Sequence, residues 1–347
     1  MPTFVRTQEI DHAIGDRGAF GLRVTSSDVE MSGVEGEIAR VRATFEIRAS
    51  SDAEADEVFS RIQLRAVQGR GTLEVSEPRD GSAGIASLVR LLAGGGAKVD
   101  AHINVEAPGG CDLRFEGVSA DVTTRSFHGP QQYRTVSGDL VLEGVGGNVR
   151  ITGVSSDISL RTDQTLDTLE ISTVSGDVSA TAPRVEQLRI VTVSGDAEVE
   201  AVLADGPAHR VETVSGDFSI GVAGGMTAEV RGLSTDVDVR LPHRTEGSRD
   251  RRRYVIGDGG PSLTFSSLSG DLAVWPARRI TTTPAMPPTP PTPATPPAPR
   301  SPATGLPPAR VAIDEAEQLE VLRALERGEI DVDEAARRLA GQERPRG

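Results

Sequence analysis

Apolar residues recur through the middle of the chain in a fixed register around an aspartate. The peptide TVSGD occurs four times between residues 135 and 217, and close variants of it occur four times more. Successive copies are 18 to 21 residues apart, except for the last interval of 35. The aspartates of the eight copies are Asp121, Asp139, Asp157, Asp177, Asp196, Asp217, Asp236 and Asp271. A repeat of about 19 residues predicts one small structural unit that is stacked many times.

The residues around each aspartate alternate between apolar and polar. In the copy that ends at Asp177, Ile171 lies six residues before the aspartate, Val174 three before and Val178 one after. Alternation with period two predicts strands with one buried face. We expect the residues in all three of these positions to be buried, which requires the chain to turn between the sixth and the third residue before the aspartate. Each unit then contains two short strands and two turns.

Units of this kind bury their apolar rows by stacking. Backbone hydrogen bonds between units about 4.8 Å apart would join equivalent strands in parallel. The predicted fold class is therefore all-β, a parallel β-solenoid (β-helix). Aromatic residues make up only 3% of the chain, as expected for a narrow core of small aliphatic side chains.

The aspartates have two interpretations from the sequence. In the structural one, each carboxylate accepts hydrogen bonds from backbone N–H groups at its turn. In the functional one, stacked carboxylates bind a row of cations, although one aspartate per unit supplies few oxygen ligands. We favour structural turn residues. The residue before each aspartate is always small, which predicts a crowded corner.

The remaining chain suggests three further regions. Residues 1–110 are β-rich, include a predicted short helix over 51–61, and are expected to cap the solenoid, whose repeats occupy 111–275. Residues 276–310 contain 13 of the 22 prolines and are predicted to be a disordered, proline-rich linker. Residues 311–347 are predicted to form a small helical hairpin.

The predicted hairpin has helix-capping signals and an apolar stripe. Asp314 can cap a first helix, Gly328 can end it, and Asp331 with Glu334 forms a capping box for a second helix. Two short helices bury little surface by themselves, so we expect this module to bind a protein partner. The predicted contacts are Leu319, Leu322, Leu325, Ile330 and Leu339.

Composition and motifs exclude several functions. A net charge of −14 argues against binding nucleic acid through phosphate neutralisation. The sequence shows no catalytic, cofactor or metal motif, and the single cysteine, Cys111, excludes a disulfide scaffold. We predict no cofactor, no enzymatic activity, no membrane span and a cytoplasmic location. Residues 249–253 concentrate arginine; they form either a solvated loop or a contact with an anionic surface.

These features resemble a known bacterial group, the putative-adhesin β-strand-repeat family, a domain of unknown function marked by repeated T-x-S-G-D turns. The resemblance rests on the TVSGD copies, on TSSDVEMSGVEG (25–36), on the junction at 103–122 and on the segment 255–274. The C-terminal hairpin is similar to SHOCT-like helical modules. The resemblance implies a role in cell-envelope stress or homeostasis.

Three functions follow as hypotheses. The leading one is a non-enzymatic β-solenoid scaffold or interaction protein whose C-terminal hairpin recruits a partner. The second is an adhesin-type surface protein. The third is a glycan-active β-helix enzyme, for which the regular acidic residues offer no distinct catalytic pair.

Overall fold

The computed structural model describes residues 2–78, 98–232, 234–248 and 251–277. These residues form a β-solenoid with one short helix, as the repeat predicts. The predicted linker, apart from its first two residues, and the predicted C-terminal hairpin lie outside the described residues.

The strands are β1 (Thr3–Ala13), β2 (Ala19–Val24), β3 (Asp28–Val34), β4 (Ile38–Arg48), β5 (Arg65–Gly69), β6 (Thr72–Ser76), β7 (Lys98–Pro108), β8 (Asp112–Ser119), β9 (Val122–Arg125), β10 (Gln131–Ser137), β11 (Leu140–Glu143), β12 (Gly147–Thr152), β13 (Ile158–Arg161), β14 (Thr165–Ser172), β15 (Val178–Val191), β16 (Ala197–Leu203), β17 (His209–Thr213), β18 (Phe218–Val222), β19 (Met226–Gly232), β20 (Val237–Val239), β21 (His243–Ser248), β22 (Arg251–Ile256), β23 (Ser262–Ser267) and β24 (Leu272–Pro276). The helix is α1 (Asp52–Ile62), and it is capped by the Ser51 side chain, which accepts from the backbone N–H of Glu54.

The strands form two walls that enclose one core. The first wall contains the strands that precede the aspartates, in the spatial order β5, β6, β2, β8, β10, β12, β14, the second half of β15, β17, β23, β19, β22 and β21. The second wall contains those that follow them, in the order β1, β4, β7, β3, β9, β11, β13, the first half of β15, β16, β18, β24 and β20. Neighbouring coils pair in parallel, and equivalent positions of the repeat lie side by side.

The corner of each coil differs from the sequence prediction in one respect. The residue six before the aspartate is buried, as predicted, and so is the residue one after in every coil except the last in the stack. The prediction for the residue three before was wrong: Val174 is only half-buried, while Val214 and Leu268 are 44% and 50% exposed. The alternation instead continues to the residue four before, such as the buried Thr173. The chain turns after this residue, so the valines form an outward-facing ridge.

The order of coils in space departs from the order in sequence at both ends. Residues 19–34, which we assigned to the cap, form a coil of their own, because β2 pairs with β8 and β3 pairs with β9. On one side of this coil lie β6 and β7, and on the other side lie β8 and β9. At the opposite end, β23 lies between β17 and β19, and β24 lies between β18 and β20. The last coil in sequence is thus the last but one in space.

Antiparallel strands close the ends of the stack. At the N-terminal end, β4 and β1 extend the second wall and carry α1, whose Phe59 ring meets Phe45 edge-on at 5.6 Å between centroids. At the C-terminal end, the insertion predicted as a solvated loop forms β21 and β22, a hairpin that extends the first wall. The N-terminal end also has an antiparallel strand on the first wall, because β5 pairs with β6. Within the described residues, the N-terminal end is therefore extended on both walls and the C-terminal end on the first wall.

Candidate functional site

The most repeated chemistry in the molecule is the TVSGD turn. In three of its four copies the threonine and serine hydroxyls donate to backbone carbonyl oxygens, whereas the buried hydroxyl of Thr213, in the fourth, has no partner. In the copy at 173–177, the Thr173 hydroxyl donates to the carbonyl oxygen of Ser175 at 3.1 Å. The Ser175 hydroxyl donates to the carbonyl oxygen of Val154, in the preceding coil, at 3.4 Å. The threonine thus closes its own turn, whereas the serine joins two coils.

The glycine of this turn is required by the closeness of the coils. Gly176 has φ of +111°, and a Cβ placed on it would lie 2.3 Å from the carbonyl oxygen of Ser156. Gly195 repeats both features one coil further on, against Gly176. Because L side chains rarely adopt this φ, a larger residue would be strained as well as crowded.

The aspartates form a directional hydrogen-bonded row along this edge of the solenoid. The backbone N–H of Asp177 donates to Oδ1 of Asp157 at 2.8 Å, and the N–H of Asp196 donates to Oδ1 of Asp177 at 2.9 Å. These carboxylates therefore bond to the turn of the next coil and not to their own. The other links of this kind run from Asp139 to Asp121, from Asp217 to Asp196, from Asp271 to Asp217 and from Asp236 to Asp271.

The row places like charges close together at the surface. All eight aspartates are exposed, and neighbouring coils are about 5 Å apart, so the carboxylates repel one another. The N–H donors offset part of that repulsion, since hydrogen bonds to charged acceptors are the stronger kind. Within the described residues, no group of three or more His, Cys, Asp or Glu side chains is arranged to hold a metal ion.

The sequence reasoning missed a ninth member of the row, Asp28. Val29 pairs with Val122, which places Asp28 beside Asp121. The signal was present in the sequence: Leu22 stands six residues before this aspartate, the small Ser27 directly before it and Val29 directly after it. Its peptide, TSSD, lacks the glycine of the common motif.

The opposite edge of the solenoid holds buried polar side chains that occur once each. The His209 ring is fully buried; Nδ1 accepts from the backbone N–H of Leu188 at 3.2 Å, and Nε2 donates to the carbonyl oxygen of Ala204 at 2.9 Å. The Gln131 amide donates to the carbonyl of Gly146 at 3.0 Å and accepts from the Tyr133 hydroxyl at 3.0 Å. These contacts satisfy the buried loops, as buried backbone groups require.

Two buried side chains near this edge, a thiol and a phenol, have raised pKa values. Burial, assisted by the charge of Asp112, raises the pKa of the Cys111 thiol to about 12. Burial also raises the pKa of the Tyr133 hydroxyl. A thiol that stays protonated and inaccessible is a poor nucleophile, so Cys111 has the character of a core residue.

The arginine-rich segment lies on the closing hairpin. Arg252 is half-buried and donates to the carbonyl oxygen of Thr235 at 2.5 Å, which ties the hairpin to the last turn. Arg253 lies 3.9 Å from the carboxylate of Glu246 on the neighbouring strand. Arg249 lies outside the described residues, and contact of this segment with an anionic surface stays a prediction.

The predicted partner-binding residues of the C-terminal hairpin, Leu319 to Leu339, lie outside the described residues. In the part of the chain that the structure does describe, no helix is long and apolar enough to cross a membrane.

Several solved bacterial structures have a similar fold over most of their length. They include a "putative cell adhesion protein" from Clostridium sporogenes (10% identity, TM-score 0.25) and a "putative lipid binding protein" from Parabacteroides distasonis (10%, 0.30). A third is a "putative adhesin" from Parabacteroides merdae (12%, 0.31). Each comparison covers 78% of this chain and 95 to 99% of the other. Similarities of this size support no inference about ligands.

No curated protein matches the chain. The family model described as Toastrack DUF4097 matches residues 19–275. That range begins at β2 and ends within β24, so it contains the whole stack of parallel coils, including the coil around Asp28. The match also agrees with the resemblance expected from the repeated turns. This chain belongs to the Toastrack DUF4097 family.

Proposed function

We propose that the protein is a non-enzymatic β-solenoid scaffold whose C-terminal segment, residues 311–347, recruits a protein partner, with a role in cell-envelope stress or homeostasis. The observation that carries the non-enzymatic part is the use made of the repeated turn. In three of the four TVSGD copies, its threonine and serine hydroxyls donate to backbone carbonyl oxygens within and between coils. Side chains that are engaged in stacking at most coils are not available to a substrate.

The scaffold proposal is supported further by the buried polar groups. His209 and Gln131, which carry the chemistry most often used in catalysis or recognition, are buried and bonded to loop backbone. Cys111 is held as a neutral thiol. A general acid, base or nucleophile has to reach its substrate, and these three side chains lie in the interior.

Partner recruitment is testable by affinity capture with the full chain and a chain that ends at residue 310. A matched variant with Leu322→Asp and Leu325→Asp keeps the length but removes the predicted apolar stripe. We expect the full chain to retain a specific partner that both altered proteins lose. Equal capture by all three proteins would contradict recruitment through this segment.

The glycan-active alternative is tested separately by incubating the full chain with a panel of acidic and neutral polysaccharides. We expect no new reducing ends. Release of reducing ends that persists after repurification and disappears on heat denaturation would overturn the non-enzymatic proposal, whatever the outcome of the capture experiment.

A further inference from the structure

A depression of about 310 Å³ opens on the outer face of the first wall, toward the C-terminal end of the stack. It lies over the second half of β15 and over β17, β23 and β19, far along the wall from the N-terminal cap. The side chains that define it are Gln187, Arg189, Ala208, Arg210, Arg231 and Thr264.

The shape of the depression follows from side-chain size. Ala208 and Thr264 are small, whereas long side chains surround them. Arg189 lies beside Arg210 on the adjacent strand, and Arg210 lies beside Thr264 on the next. The floor is fixed from below, because buried His209 is hydrogen-bonded to the backbone of Leu188. The depression is therefore a property of the folded wall.

The charged residues that line the depression are all arginines. Three arginines line it and no carboxylate does, in a chain with a net charge of −14. Their side chains are about half exposed, at 46, 53 and 50% for Arg189, Arg210 and Arg231. The guanidinium groups can therefore reach a ligand in the solvent.

Each of these arginines has a neighbouring acid that is not part of the lining. Glu170 is 3.7 Å from Arg189, Glu229 is 3.6 Å from Arg231, and Glu212 pairs with Arg210 along the same strand. Exposed pairs of this kind are weak. They orient the guanidinium groups and can be exchanged for an anion that contacts several arginines at once.

We propose that this depression binds a phosphate-bearing ligand. Arginine is the side chain best suited to phosphate, because its planar fork donates two parallel hydrogen bonds. The Gln187 amide and the Thr264 hydroxyl add neutral donors at the same site. The volume exceeds that of a single water-sized site many times over, so a phosphate ester with part of its alcohol fits. This inference goes beyond the scaffold proposal and does not depend on it.

The test compares two triple variants of the full chain. The site variant carries Arg189→Gln, Arg210→Gln and Arg231→Gln. The control carries the same change at Arg23, Arg114 and Arg134, which are also on the outer face of the first wall and also paired with acids. Both variants lose three positive charges, so an effect of net charge alone is the same in both. Thermal melting monitored by circular dichroism verifies that each variant folds.

Two probes distinguish the source of the phosphate. Titration calorimetry with glycerol 3-phosphate reports binding of a soluble ester, and cosedimentation with phosphatidylglycerol vesicles, against phosphatidylcholine vesicles, reports binding of a lipid headgroup. We expect the wild type and the control to bind at least one probe within threefold of each other, and the site variant to bind it at least tenfold more weakly. Equal weakening in both variants, unchanged binding by the site variant, or no saturable binding of either probe by the wild type would overturn the proposal.

Discussion

The two ends of the stack cover their terminal coils to different extents. At the N-terminal end, Ile103 and Val105 of β7 are fully buried, because β4, β1 and α1 continue beyond them. At the C-terminal end, the corresponding Val237 and Val239 of β20 are only half-buried. The closing hairpin there extends the first wall, and within the described residues β20 is the last strand of the second wall.

This difference shows that the repeat and the closure of its ends are separate structural problems. The coils in the middle bury their apolar rows on one another, so any coil needs only its neighbours. The terminal coils need other elements to cover them. The N-terminal end is covered by a helix and long antiparallel strands, and the C-terminal end by a short hairpin. We expect the N-terminal end to be the more stable of the two.

The largest effect should come from removing the aromatic contact that seals the N-terminal end. Phe45→Ala deletes a side chain that is 3% exposed and that contacts Phe59. We expect the free energy of unfolding to fall by about 3–5 kcal/mol, measured by chemical denaturation. A loss below about 1 kcal/mol would mean that α1 contributes little to the seal.

A matched pair of valines compares the two ends directly. Val105→Ala, at a fully buried position, should cost about 2–3 kcal/mol, since a cavity adds to the lost apolar burial. Val239→Ala removes the same atoms from a half-buried edge strand and should cost about 0.5–1 kcal/mol. Hydrogen exchange should show faster exchange in β20 than in β7. Equal costs and equal exchange would contradict the proposed difference between the ends.

The row of aspartates allows the same comparison on the surface. Asp177→Ala leaves the N–H of Asp196 without its acceptor and should cost about 1–2 kcal/mol. Asp236 belongs to the last described coil, so its N–H donates to Asp271 but its carboxylate has no following coil in the described residues. Asp236→Ala should therefore change stability by less than about 0.5 kcal/mol. Thermal and chemical denaturation of both variants provide the measurement.

Cys111 provides a pH test near the sealed end. Its folded-state pKa, about 12, lies above the ordinary value of 9, so the unfolded chain ionises first as the pH rises. The contribution is fully present below pH 9 and is lost progressively between pH 9 and 12, and the loss by pH 10 amounts to about 1–2 kcal/mol. Cys111→Ala should lack this component, so its stability should fall less steeply between pH 8 and 10. Identical slopes for variant and wild type would contradict burial as the cause.

The smallest effect is expected from removing the C-terminal region. A chain that ends at Ile280 keeps every described strand, and we expect its melting temperature to match that of the full chain within about 1 °C. The physical reason is the proline-rich composition after residue 276, which cannot form an apolar core. Limited proteolysis should accordingly cut first between residues 281 and 310. A cooperative loss of the solenoid on this deletion would contradict the division into two modules.

The coils were predictable from sequence because their evidence is local. Ile171 and Val178 identify inward positions by period-two alternation, and the small residue before each aspartate indicates a close approach. The outward direction of Val174 was not predictable from hydrophobicity, because an apolar residue at a corner can face either side until the length of the strand before it is known. That length is set by Thr173, which a hydrophobic pattern does not count as a core residue.

The order of the coils in space and the hydrogen-bond partner of each carboxylate could not be predicted from the sequence either. The spacing of 35 residues before Asp271 indicated an insertion, but the pairing of β23 with both β17 and β19 depends on contacts between distant segments. Likewise, an aspartate at a turn suggests a bond within that turn. The bond to the next coil follows from the 5 Å separation of the coils, which exists only after stacking.

The displaced coils at the two ends determine how a protein of this kind can change in length. Duplicating about 19 residues in the middle adds one coil between two that already match it, so the number of coils can vary without altering either end. Shortening the chain at the end of β24 has a different effect, because it removes a layer from inside the stack and exposes β18 and β20 to a gap between them. The first and last parallel coils in sequence are thus inner layers of the stack, so a coil can be added with least disturbance in the middle.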